Sequence, residues 1–245
     1  FPLGLAISQN EMDNLKEVIS NKPKDVPIVF LPMHISHMDY VIISYLCIIQ
    51  NLPLPCIVAG ENLNVPIVGN LLRRCGAIFI RRSFREDKLY TAVFQTYIKE
   101  LLLSGACVQC FIEGGRSRSG KLLAPKIGFL KTVADMVLDG EVPDALLVPI
   151  SLSYDRVLET ASYVAELQGQ VKKKESLVGI IKACWSLLRQ TSLSLVCYGR
   201  VDVGFATPIS VRHYFLHRMR EKKNNEDDDH TKVFEKFGKY FGYLA

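Results

Sequence analysis

An α/β fold with a largely parallel or mixed central sheet, flanked by helices, is the architecture this sequence predicts. Two patterns carry that expectation. Short continuous apolar runs such as Ile28-Val29-Phe30-Leu31 recur along the chain, and such runs read as strands covered on both faces. Longer stretches with helical periodicity alternate with them. At 245 residues, 49% hydrophobic and 22% charged, the chain can also bury a substantial core. The same figures exclude a disordered chain, a collagen and a coiled coil.

In chain order, residues 1–25 form a helical lead-in, patterned around Met12 to Ile19 and closed by a Pro/Lys/Asp turn. The Ile28 strand lies between Pro27 and Pro32, and residues 40–50 form an apolar helix that Ser36 or Asp39 could cap. Residues 56–59 make a strand, 66–74 a short helix, and 77–80 a strand leading into Arg81-Arg82. Residues 89–104 are helical, with Val93, Tyr97 and Leu101 on one face. Residues 107–112 form a strand, 127–137 a helix and 145–150 a strand, followed by a helix at 176–189 and a strand at 193–198. A charged loop, 221–230, precedes an amphipathic C-terminal helix, 231–245, with Phe234, Phe237, Tyr240 and Phe241. The chain opens on Phe1 and reads as a piece excised from a longer protein.

The net charge is only +5. Between Arg73 and Lys126, however, 11 Lys/Arg face 4 Asp/Glu, a local balance of +7. That concentration favours an anionic partner at one site. Aromatic residues are not interleaved with the arginines of the 113–121 loop, which argues against nucleic acid. The seven cysteines lie scattered in apolar segments and suit a reducing compartment. Cys107 and Cys110 form a C-x-x-C that reads as core packing rather than a redox or metal pair.

Three polar segments follow strands: His34 to Asp39, Arg81-Arg82, and Glu113 to Lys121. In open α/β sheets the crevice at the strand carboxyl ends binds ligands. His34 and Asp39 suit a general base and its orienting carboxylate, since an imidazole can take a proton near neutrality. On one helix they would point about 140° apart, so they can meet only if His34 lies in the turn before it. A helix-capping Asp with an incidental His is the alternative. His34, His37 and Asp39 could also ligate a metal, although no further ligand cluster accompanies them, and Ser36 lacks a nucleophile elbow. Glu113-Gly-Gly-Arg-Ser-Arg-Ser-Gly-Lys121 has the glycines, arginines and hydroxyls of an anion cradle, without the Walker A order. A solvated surface loop is the alternative there.

Together these residues resemble the glycerolipid acyltransferase family, the glycerol-3-phosphate and dihydroxyacetone-phosphate acyltransferases. The family's H-x-x-x-x-D block is matched by His34-Ile-Ser-His-Met-Asp39, and its G-x-x-F-[IM]-R-R block by Gly76-Ala-Ile-Phe-Ile-Arg-Arg82. Its F-[IVL]-E-G-x-R-S-R block is matched by Phe111-Ile-Glu-Gly-Gly-Arg-Ser-Arg118, and its proline-centred block by Val148-Pro149-Ile150. All four occur in order between about Ile28 and Pro208. One departure is Ile35, where relatives carry a basic or polar residue that can contact phosphate.

The resemblance implies a glycerol-3-phosphate acyltransferase-like fold, with 26–220 as the catalytic domain. It implies that His34 deprotonates the acceptor hydroxyl while Asp39 orients it, and that Gly114 lets the backbone approach the reacting carbonyl and its oxyanion. Arg81, Arg82, Glu113, Arg116, Ser117 and Arg118 would bind the phosphate-bearing acceptor, and Ser36 and Pro149 would shape the pocket. Acyl-CoA or acyl-carrier protein would be the co-substrate, with no metal or other cofactor. The implied reaction acylates the sn-1 hydroxyl of glycerol 3-phosphate at a membrane surface, in a reducing compartment. Dihydroxyacetone phosphate is the alternative acceptor. A metal-dependent hydrolase and a non-catalytic phospholipid-binding module are readings from other classes.

Overall fold

In the computed structural model the described residues are 4–66, 68–81, 87–117, 119, 121–157, 159–160, 163–164, 168 and 199–222. The elements are β1 (Gly4–Ile7), α1 (Gln9–Asn21), β2 (Ile28–Pro32), α2 (Asp39–Ile49), β3 (Cys56–Gly60), α3 (Val68–Arg74) and β4 (Ala77–Ile80). They continue with α4 (Lys88–Leu103), β5 (Val108–Gln109), α5 (Gly128–Leu138), β6 (Leu146–Tyr154), β7 (Arg200–Phe205), β8 (Ile209–Ser210) and α6 (Val211–Lys222). The strands form one sheet in the order β1-β7-β6-β2-β5-β3-β4, with β8 beside β6. Only β6 pairs antiparallel, with β7 and β8; every other pair among the described strands is parallel. The expected largely parallel or mixed sheet is what the chain forms.

All five residues of β2 are buried. Side chains alternate across a strand, so Val29 and Leu31 pack in one layer with α4, α5 and α6, through Phe94, Ile98, Leu130, Val133 and Phe215. Ile28 and Phe30 enter the opposite layer, against Met12 and Leu15 of α1 and Ile43 and Leu46 of α2. The same alternation resolves the C-x-x-C. Cys107 belongs to the second layer and Cys110 to the first, so the two thiols face opposite sides of the sheet. Burial raises both thiols, Cys110 to about 12, which leaves them protonated and inert.

Several elements depart from expectation. The N-terminal segment is not only helical: Gly4–Ile7 is a strand, in parallel register with Arg200 to Val203. On α4 the buried stripe is Phe94, Ile98 and Leu102, whereas Val93 and Tyr97 are 59% and 50% exposed. Two apolar ridges lie one residue apart there, and periodicity alone does not choose between them. Helix α2 has no side-chain cap, because the Asp39 carboxylate turns back toward the preceding turn rather than forward. Strand β5 is short, and β6 runs four residues further than expected, to Tyr154. The helix expected at 176–189, the strand at 193–198 and the amphipathic helix at 231–245 lie outside the described residues, as does the charged loop beyond residue 222.

Because β2, β5, β3 and β4 run parallel, their carboxyl ends share one edge of the sheet. The three polar segments therefore emerge on the same side, but not all side by side. Arg81, beyond β4, is three strands from His34, about 14 Å at a spacing of ~4.8 Å per strand. Pro149 is buried within β6, opposite Leu31. Its missing N–H falls where pairing with β7 ends and pairing with β8 begins, a break that tolerates proline.

Candidate active site

The ladder between β2 and β6 extends to Met33, whose N–H donates to the Ile150 carbonyl at 3.0 Å. His34 follows in an irregular turn, and Asp39 opens α2, where the helix N-terminus favours a carboxylate. With His34 outside the helix, the pair meets: His34 Nδ1 lies 2.9 Å from Asp39 Oδ2. The same oxygen accepts the N–H groups of Ile35 and Ser36, at 2.8 and 3.0 Å. Asp39 is fully buried, while the His34 side chain remains 16% exposed. Phe111 stacks on the imidazole, with ring centroids 4.1 Å apart. Asp39 thus orients Nδ1 and leaves Nε2 as the proton-accepting nitrogen.

The 113–121 loop is joined to this turn by hydrogen bonds. Glu113 Oε1 accepts the His34 N–H at 2.9 Å and Oε2 accepts the Leu123 N–H at 3.1 Å. The Ser117 N–H donates to the His34 carbonyl at 2.7 Å, and its hydroxyl donates to the Lys121 carbonyl. Both side chains are buried. Their polar atoms hold the two loops together. Gly114 is needed for its conformation, since φ is +62° and a Cβ there would stand 2.7 Å from Lys126 Cδ. Its N–H donates to the Phe111 carbonyl at 3.0 Å and is therefore not an oxyanion donor in this state.

The remaining expected site residues separate into groups. Arg116 is nearly buried and lies on the turn, with Nη1 donating to Glu159 Oε1 at 3.0 Å and to Tyr163 Oη at 2.8 Å. Arg81 pairs with Asp87 at 2.9 Å and covers the Tyr90 ring, at the far edge of the sheet. Arg82 and Arg118 lie outside the described residues. Ser36 is fully buried and donates to Glu159, so it supports the turn. Pro149, inside the sheet, lines none of the groove described below. The Ile35 side chain is buried.

For a metal set of His34, His37 and Asp39, both Asp39 oxygens and His34 Nδ1 are already engaged by protein groups. Among the described residues, no group of three or more His, Cys, Asp or Glu is arranged to hold a metal ion. Burial, with the Arg116 guanidinium acting in the same direction, lowers His37 to about 4.

A groove of about 470 Å³, with Gln9 and Gln50 among its apolar side chains, starts at Met38 and follows one face of α2 through Ile42 and Tyr45 to Ile49. Ile7 of β1 and Met12 of α1 form part of its other wall. No helix of the described residues is long and apolar enough to cross a membrane.

Residues 14–153, more than half of the chain, match the family model described as Acyltransferase. The chain belongs to the acyltransferase family. Residues 163–241 match a second model, the glycerol-3-phosphate acyltransferase C-terminal region. Among curated relatives, the glycerol-3-phosphate acyltransferase of Shewanella woodyi is 46% identical over 192 residues, covering 78% of this chain and 23% of the relative. That of Pseudomonas savastanoi pv. phaseolicola is 42% identical over 187 residues, covering 76% and 22%. The chain thus spans less than a quarter of the length of these relatives. A solved structure, the 1-acyl-sn-glycerophosphate (LPA) acyltransferase PlsC from Thermotoga maritima, aligns at 15% identity and a TM-score of 0.49. That alignment covers 97% of this chain and 68% of the other.

In this member of the acyltransferase family, three side chains that motif reading did not assign complete the site. Tyr154 donates to Asp39 Oδ1 at 2.5 Å, so both carboxylate oxygens are engaged. Burial, and then the Asp39 charge, push its hydroxyl far above the usual phenol range, which keeps it a donor. Glu159 and Tyr163 bracket the turn from the segment after β6. Tyr154 had a faint signal, standing just beyond the proline-centred block. Glu159 and Tyr163 had none, because their partners are 43 to 128 residues away in sequence. Replacing Tyr154 with phenylalanine is expected to destabilise the fold by about 1.5–3 kcal/mol, the worth of a hydrogen bond to a charged group. Chemical denaturation of the two proteins measures it.

Proposed function

We propose that this chain transfers a fatty acyl group from an acyl thioester, carried on CoA or acyl-carrier protein, to the sn-1 hydroxyl of glycerol 3-phosphate. The His34–Asp39 contact at 2.9 Å carries the reading. His34 Nε2 takes the proton of the acceptor hydroxyl as its oxygen attacks the thioester carbonyl. The new C–O bond forms, the C–S bond breaks, and the imidazolium returns the proton to the departing thiolate. Asp39 stabilises the imidazolium meanwhile. No acyl-enzyme intermediate and no cofactor beyond the acyl donor is required.

The groove along α2, lined by Met38, Ile42 and Ile49, is a candidate path for the acyl chain. Arg116, with Arg82 and Arg118, is assigned to the acceptor phosphate, for which guanidinium groups are well suited. A lipid product further argues for action at a membrane surface. The names of the relatives favour glycerol 3-phosphate over dihydroxyacetone phosphate, and turnover measured with both acceptors decides between them. Arg116→Ala is expected to raise the acceptor KM by roughly tenfold or more, a factor worth ~1.4 kcal/mol. The acyl-CoA KM should stay near its original value. Equal effects on both constants would remove Arg116 from the acceptor site.

A further inference from the structure

We propose that Glu159 is a positioning residue, holding the catalytic turn and Arg116 in one frame so that base and phosphate-binding guanidinium keep a set separation. The proposal rests on the acyl-transfer reading above.

The turn between β2 and α2 has no ladder of its own, yet each N–H from Ile35 to Met38 has a partner. Ile35 and Ser36 donate to Asp39 Oδ2, and Met38 donates to Ser36 Oγ at 3.1 Å. The His37 N–H donates to Glu159 Oε1 at 2.9 Å, and Ser36 Oγ–H donates to Glu159 Oε2 at 2.8 Å. Asp39 therefore fixes the turn from within, and Glu159 fixes it from outside.

Glu159 Oε1 also accepts from Arg116 Nη1 at 3.0 Å, which joins the 113–121 loop to the same carboxylate. Tyr163, one helical turn further on, repeats the arrangement. Its hydroxyl donates to the Ile35 carbonyl and accepts from Arg116, both at 2.8 Å, and the guanidinium lies over its ring at 5.4 Å. The side chains of Arg116 and Glu159 are 7% and 15% exposed. An ion pair this sheltered is poorly screened, and apolar side chains of similar volume often stabilise a fold as well. What an apolar pair cannot do is set the direction of a backbone N–H, a hydroxyl and a guanidinium at once.

Acyl transfer needs the hydroxyl at His34 while the phosphate of the same small molecule is held elsewhere, so the distance between the two anchors matters. A displacement of about 1 Å can cost ~10²-fold in rate. Glu159→Gln keeps the volume but loses the charge and cannot satisfy all three donors. In the intact protein, kcat for transfer to glycerol 3-phosphate should fall roughly tenfold or more. The acceptor KM should rise, the acyl-CoA KM should stay within about twofold, and the thermal midpoint should fall, because the sheltered Arg116 guanidinium loses its counter-charge.

Two backgrounds separate positioning from general damage. With His34→Ala the Glu159→Gln change should lower residual turnover no further, and with Arg116→Ala it should add no further rise in acceptor KM. A folded Glu159→Gln protein with unchanged kcat and acceptor KM overturns the proposal, as do losses that multiply fully in both backgrounds. If Glu159→Gln does not fold, Tyr163→Phe reports on the same frame with smaller changes in the same direction, and unchanged kinetics in that variant count equally against it. Full activity of His34→Ala alone would instead overturn the acyl-transfer reading.

Discussion

Turnover in a His34→Ala protein should fall by ~10²–10⁴, the usual contribution of a general base, while the fold persists. The imidazole rests on Phe111 and touches Asp39 through one nitrogen. Its removal leaves the Ile35 and Ser36 N–H groups and the Tyr154 hydroxyl on Asp39, so the turn keeps its internal frame. Acyl transfer from acyl-CoA to labelled glycerol 3-phosphate, measured beside thermal unfolding, tests both halves of the expectation. A folded variant with wild-type turnover would falsify the assignment of His34 as base.

Asp39 allows charge to be separated from geometry. In Asp39→Asn the amide oxygen can occupy the Oδ2 position and accept from His34 and the two backbone N–H groups. The amide nitrogen then donates to Tyr154 Oη, provided that hydroxyl rotates its proton elsewhere. The fold and the imidazole orientation should survive, and the negative charge that stabilises the imidazolium is lost. A fall in kcat of at least ~10²-fold is expected, since the comparable change in a Ser-His-Asp triad costs ~10⁴. Asp39→Ala is expected to act differently, leaving buried donors unpaired and destabilising the protein by roughly 3–5 kcal/mol. Denaturation curves and steady-state kinetics on the two variants separate the effects; an Asn variant with full activity would show that the carboxylate serves the fold alone.

The elements that periodicity settled well were those with a single apolar solution. Ile28 to Leu31, set between prolines, read as a buried strand, and the His34–Asp39 contact required His34 to precede the helix, as it does. On α4, where Val93 and Phe94 offer neighbouring ridges, tertiary packing decided for Phe94. Glu113 and Ser117 stand in the same block as Arg116, yet their polar atoms join the loops. Arg81 shares the edge of the sheet with His34, but strand order moves it to the far side. Glu159 and Tyr163 act through contacts that span the chain, and linear spacing carries no trace of such contacts.

The pairing of β1 with β7 has a consequence for how the molecule is made. Gly4 through Ile7 are among the earliest described residues to be synthesised, yet their partners, Arg200 to Val203, arrive almost two hundred positions later. Strand β6 waits as well, since its antiparallel partners follow it in the chain. During translation the β2–β6 pair is therefore complete while one flank of β6 still exposes unpaired backbone groups, the kind of edge that recruits other chains. Closing so long a loop is slow relative to local helix formation. The N-terminal border of the sheet therefore cannot pair until β7 has been made, and until then the flank of β6 stays open.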